Sequence, residues 1–239
     1  MRETPYQKLY KRKRKWTPVQ TAAGKLKEGS EETIRRVLAI RHMELPVGDF
    51  IQASLNEIPE HSRELLLSNI KDEENHDLAL GYAVQALGED REAEAEAKRL
   101  RDAWISHPSH TIAKALVVER GIFFTLLPFM RFNGDAGLRT ISADISRDEQ
   151  IHVATNSLLC TELNLDIPPS LDKLRKATIA WIYQPLGINT TDKYLDKKFW
   201  QDQSDNLMYN GRTNGLFETK RARMPAFFEH SNVNLPQYA

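Results

Sequence analysis

The sequence predicts an all-α protein, a four-helix bundle followed by a C-terminal extension that is part helical and part irregular. Three observations predict it. Apolar residues recur at three- and four-residue spacing through four long segments, and Pro or Gly punctuation separates those segments. No segment alternates with period two for long enough to form a strand.

Ser30-Glu31-Glu32-Thr33 offers an N-cap and a first turn rich in acids, and Ile34, Val37, Leu38, Ile40 and Leu45 follow at helical spacing. A first helix to about Asn56 is expected, kinked just after Glu44 by Pro46 and Gly48. After the Ile58-Pro59-Glu60 break, Leu65 through Leu87 read as a second helix stopped by Gly88. Residues 89–106 read as a charged surface helix, broken by His107-Pro108. Thr111 to Phe132 reads as an apolar helix interrupted at Pro128, Asn133-Gly134-Asp135 as a turn, and Ala136 to Leu163 as the fourth bundle helix. Leu171 to Tyr183 can form a fifth helix. Beyond it, two Asn-Gly pairs and the aromatics Tyr194, Phe199, Trp200, Tyr209, Phe217, Phe227 and Phe228 suggest an irregular extension with exposed rings. The expected organisation is a basic arm (1–28), the bundle (29–165) and the extension (166–239).

The 239 residues suffice for a sizeable core without covalent staples. A single cysteine, Cys160, cannot pair within the chain, which fits a reducing compartment, and cytoplasm is the expectation. The apolar stretch Gly121 to Met130 is half the ~20 residues a spanning helix needs, so no membrane partner is expected. Lys+Arg and Asp+Glu balance at 33 each, but residues 1–28 hold nine bases against Glu3 and Glu28. That arm reads as a solvated tail lying on the acidic body, with nucleic acid disfavoured as a partner.

Two Glu-x-x-His pairs, Glu73/His76 and Glu149/His152, fall on predicted helices, where i, i+3 spacing puts carboxylate and imidazole on one face. Glu44 precedes the first pair by 29 residues and Glu119 precedes the second by 30, and each interval is centred on a predicted turn. Residues equidistant from a hairpin turn lie at one height, because both strands of the hairpin climb about 1.5 Å per residue. Glu44 should therefore face Glu73, and Glu119 should face Glu149. Two packed hairpins would then bring four Glu and two His to one level of a bundle core, the ligand set of a dinuclear carboxylate centre. Four carboxylates neutralise two divalent cations, one imidazole per metal suits iron, and open positions on the metals would admit dioxygen. Glu119 is the only acid between Asp102 and Asp135, and a carboxylate set among apolar residues is costly unless paired or coordinated. Arg120 lies about 100° around the helix from it and is an uncertain partner. Glu31 or Glu32 could stand in for Glu44, but both lie three turns too early for the height match.

On these residues the chain resembles the ferritin-like superfamily of dinuclear metal proteins. Arg147-Asp148-Glu149-Gln150-Ile151-His152 resembles the Arg-Asp-Glu-x-x-His signature of ribonucleotide reductase small subunits. The first half, with Ile58-Pro59-Glu60 ahead of the Glu73/His76 helix, is similar to the aldehyde-deformylating oxygenases. The resemblance implies that Glu149 and His152 ligate metal and that Asp148 hydrogen-bonds a ligating imidazole. Where reductase subunits place a radical-bearing tyrosine, four residues after the first motif's histidine, this chain has Leu80, and its first ligand is Glu44 where most members use Asp. The expected function is dioxygen activation at two iron ions, or a Mn/Fe pair, to oxidise a small organic substrate. Apolar walls at Leu80, Val118, Phe123 and Phe124 would keep water out, and electrons would come from a separate donor. The alternatives are a reductase small-subunit relative working with a large subunit, and a non-enzymatic scaffold that binds partners through its arm and aromatic tail. A homodimer is left open.

Overall fold

The computed structural model describes residues 3–209; the expectations for Phe217, Phe227, Phe228 and both Asn-Gly pairs lie outside them. All the extended regular elements among the described residues are helices, with no strand among them. The helices are α1 (Pro5–Tyr10), α2 (Glu31–Ala39), α3 (Glu44–Ala53), α4 (Arg63–Leu87), α5 (Arg91–Ser106), α6 (Thr111–Val118), α7 (Phe124–Asn133), α8 (Ala136–Glu162), α9 (Pro169–Ile182) and α10 (Lys197–Tyr209). None is long and apolar enough to cross a membrane.

The first predicted helix is two helices, joined by a 3-10 turn at Ile40–Met43. The break falls just before Glu44 rather than just after it. Pro46 has no N–H for the carbonyl of residue 42, and in the first turn of α3 that loss is free, so the chain tightens upstream of the proline. The α4 helix ends as expected at Gly88, whose φ of 89° few other residues tolerate. The Asn133-Gly134-Asp135 turn also forms, with the Asp135 side chain capping α8 at the Leu138 amide.

Three expectations are corrected. The interruption expected at Pro128 lies upstream, as a π turn over Glu119–Phe123, while Pro128 is absorbed inside α7. The α5 helix is not only a surface helix. It buries Ala93, Ala97 and Trp104, whose indole donates to Thr178 Oγ1 on α9 at 3.1 Å. Trp200 of α10 is fully buried rather than exposed, stacked on Tyr183 at 5.6 Å between ring centres and donating to the Tyr194 carbonyl at 3.0 Å.

The basic arm also differs from a solvated tail. Its Tyr6 and Leu9 are buried, because α1 places the two three residues apart on one face. In the body, α3 packs along α4 and α7 along α8, and the two pairs meet through α4 on α8, α3 on α6 and α6 on α8.

Candidate metal centre

Glu44 opens α3, Glu73 and His76 lie on the inner face of α4, Glu119 opens the π turn, and Glu149 and His152 lie on the inner face of α8. All six are buried, with Glu44 at 2% exposure and the others at zero. Within the run Lys71 to Asp77, Lys71 and Glu74 face solvent while Asp72, Glu73 and His76 face inward, so this stretch is not a solvated charged face. Glu31 and Glu32 are exposed, and Arg120 donates to the Leu207 carbonyl at 2.6 Å.

The hairpin geometry brings the six together in two overlapping groups. Around His76 Nδ1 stand Glu44 Oε2 at 3.6 Å, Glu73 Oε2 at 3.3 Å and Glu149 Oε1 at 3.3 Å. Around His152 Nδ1 stand Glu73 Oε1 at 3.0 Å, Glu119 Oε1 at 3.7 Å and Glu149 Oε1 at 3.8 Å. Ligand atoms of Glu44, Glu73, His76 and Glu149 lie within 4.8 Å of one another, as do those of Glu73, Glu119 and His152. Glu73 belongs to both groups.

Hydrogen bonding tests whether a metal fits. Glu44 Oε2, both oxygens of Glu73 and of Glu149, Glu119 Oε1 and the Nδ1 atoms of His76 and His152 are buried without a hydrogen-bond partner. Buried polar atoms left unsatisfied cost about 1–3 kcal/mol each, more when charged, and here they converge on one small volume. Divalent cations are the ligands that such a set of carboxylate oxygens and imidazole nitrogens suits.

The outward nitrogens of both rings are held. His76 Nε2 lies 3.4 Å from Asp148 Oδ2, and His152 Nε2 lies 2.9 Å from Asp72 Oδ2. A carboxylate there fixes the proton on Nε2 and turns the Nδ1 lone pair inward. The two motifs are thus crossed, each aspartate holding the other motif's histidine. Asp72 was not singled out from the sequence, although both motifs read Asp-Glu-x-x-His and that symmetry points to it. The arm holds both aspartates in turn. Lys13 Nζ pairs with Asp72 and donates to Asn69 Oδ1 at 3.0 Å, while Trp16 Nε1 donates to Asp148 Oδ2 at 2.6 Å. Arg14 adds a bond to Asp144 at 2.9 Å. Asn156, one turn beyond His152, donates to Glu119 Oε2 at 2.7 Å and leaves Oε1 for the cluster.

Burial raises the pKa of Glu44 and Glu119 well above the ordinary carboxylate value and raises that of Glu149, and their neighbouring carboxylates add to it. Burial also acts on Glu73, but His152 and His76 override it and hold Glu73 ionised. Burial opposes charge on the two imidazoles, yet the carboxylates around them raise both. Protons thus do the neutralising where cations would. The raised carboxyls and imidazoles take up protons on folding, so their contribution to stability is lost as pH rises through their folded pKa values. Glu73 and Asp148, both lowered, act oppositely and only on acidification below the ordinary carboxylate range. Chelator-treated protein should therefore melt at falling temperature as pH rises above the ordinary imidazole value of about 6.5, and the gap to metal-loaded protein should widen with it. Melting curves at stepped pH check this; a constant gap would contradict it.

Comparison with protein-family models, curated proteins and solved structures gives no match. The fold and the cluster therefore carry the functional reading.

Proposed function

We propose that the chain is a ferritin-like four-helix bundle built from α3, α4, α6–α7 and α8, and that its centre binds two iron ions, or a Mn/Fe pair, for dioxygen-dependent oxidation. The observation that carries this reading is the convergence of eight buried atoms without a hydrogen-bond partner, from four glutamates and two histidines. Bound there, redox-active metal ions supply electrons and open coordination positions for dioxygen. The protein's own part is positional. Asp72 and Asp148 aim the imidazoles, Asn156 aims Glu119, and the buried Leu80, Val118, Phe123 and Phe124 exclude water from the turns that carry the ligands.

One observation favours a second reading, a relative of the reductase small subunit. Trp16, an oxidisable side chain only partly buried, is linked through Asp148 to His76, and its ring centre lies 6.2 Å from the imidazole. Such a chain gives electrons a route between the centre and the surface.

The two readings separate in one experiment. Protein loaded anaerobically with ferrous ion and then exposed to oxygen should consume oxygen and show no long-lived tyrosyl signal in electron paramagnetic resonance, since Leu80 stands one helical turn after His76. A stable tyrosyl signal would move the assignment to the reductase-like reading. Fully loaded protein that consumes no oxygen would leave the bundle as a scaffold.

A further inference from the structure

The turn that carries Glu119 is gripped from outside the cluster. A π turn holds one residue more than the α-helix around it, so its collapse to α-helix would swing one flank about 100° relative to the other. The direction of the Glu119 side chain therefore depends on which form residues 119–123 adopt. Two consecutive residues of this turn are tied to α10. Arg120 Nε donates to the Leu207 carbonyl at 2.6 Å, and Ser204 Oγ donates to the Gly121 carbonyl at 2.6 Å.

The direction of that second bond is forced. Arg175 Nη1 donates to Ser204 Oγ, and a guanidinium offers donors only, so the hydroxyl accepts from it and has one proton left, for Gly121. Arg175 is fully buried and fixed in turn by Asp172 at 2.7 Å and Asp205 at 2.6 Å. A Cβ on Gly121 would stand 2.5 Å from Arg175 Cδ and 2.8 Å from Met208 Sδ, so this approach requires glycine.

We infer that α10 clamps the π turn, and that Ser204 is a positioning residue for the metal position formed by Glu119 and His152. The inference rests on reading the cluster as a metal centre. Asn156 fixes one oxygen of Glu119 from α8 and the clamp holds the next two residues of its turn, which leaves Oε1 aimed toward His152. Ser204 and Arg175 act through the backbone of residues 119–123.

The test uses the full chain, titrated with Mn(II) alone, and amide hydrogen exchange of residues 119–124 in chelator-treated protein. Ser204→Ala should weaken one of two Mn(II) equivalents by ~10-fold or more, leave the other unchanged, and speed exchange across 119–124. Ser204→Cys, nearly isosteric but a weak donor, should shift both readings the same way by less. Asp202→Asn, on the same helix but paired with the exposed Lys198, should leave Mn(II) binding unchanged. Wild-type affinities with unchanged exchange would overturn the clamp, as would equal weakening of both equivalents. If the wild-type chain binds no Mn(II), the metal reading falls, and exchange alone decides the clamp: faster exchange in Ser204→Ala supports it and unchanged exchange overturns it. Should Ser204→Ala fail to fold, Ser204→Cys carries the same comparison.

Discussion

Glu73→Gln should abolish metal binding at both positions and leave a folded helical protein. Glu73 gives a separate oxygen to each group, Oε2 at 3.3 Å from His76 Nδ1 and Oε1 at 3.0 Å from His152 Nδ1, whereas Glu149 reaches both imidazoles through Oε1 alone. It is also the one glutamate of the four whose pKa is lowered, so it supplies negative charge before any metal arrives. Removing one partner from a buried charged set costs about 3–5 kcal/mol. At about 1.4 kcal/mol per tenfold, affinity at each position should fall roughly 100-fold to several thousandfold. Glutamine keeps the volume, so the packing of α4 survives. Glu44→Gln and Glu119→Gln should each act mainly on one position, because Glu44 stands only beside His76 and Glu119 only beside His152. Elemental analysis and Mn(II) isotherms of the three variants check the pattern. Wild-type stoichiometry and affinity in Glu73→Gln would remove the bridging role.

The parts of this centre that could be read in the sequence were those that regular geometry encodes. The apolar spacing of α4 and α8 and the turn residues Gly88 and Asn133-Gly134 place two motif helices. Equal distances from the turns then bring Glu44 beside Glu73 and set Glu119 and Glu149 both close to His152 Nδ1. The parts that could not be read depend on contacts between distant segments. Lys13 reaches a residue 59 positions away and Trp16 one 132 positions away, separations that leave no periodic trace. Charge composition made the arm look solvated, because nine bases within 28 residues dominate any average and hide the few side chains, Tyr6, Leu9 and Trp16, that pack inward. The π turn is hidden for a related reason. Its sequence, Glu119-Arg120-Gly121-Ile122-Phe123, is compatible with an α-helix, and what holds it in the wider form comes from α9 and α10, more than 50 residues downstream. Asn156 was within reach of the sequence, since it sits on the face of α8 that carries Glu149 and His152, one and two turns on.

Deleting residues 1–16 should lower both stability and metal affinity, the opposite of what a solvated tail would do. The deletion strips two buried side chains, Tyr6 and Leu9, from the core, and full burial of such groups is worth about 1.5–3 kcal/mol each. It also takes the short Trp16 bond from the fully buried Asp148, whose Oδ2 keeps only the 3.4 Å contact with His76, and loss of a hydrogen bond to a charged group costs about 1.5–3 kcal/mol. Against these stands the entropy of ordering the arm, so a net loss on the order of 4 kcal/mol is expected, or a melting temperature lower by on the order of 10 °C. The metal effect has a separate cause. Without Lys13 and Trp16, Asp72 and Asp148 are free to turn away from His152 and His76, and loss of such orienting partners weakens metal binding by about 10- to 100-fold. The double variant Lys13→Met, Trp16→Phe separates the two contributions. It keeps Tyr6 and Leu9 in place, so it should retain most of the melting temperature and still lose metal affinity. A deletion that melts and binds metal like the full chain would return the arm to the solvated tail its charge suggests. A double variant with full affinity would show that the aspartates hold their imidazoles without help.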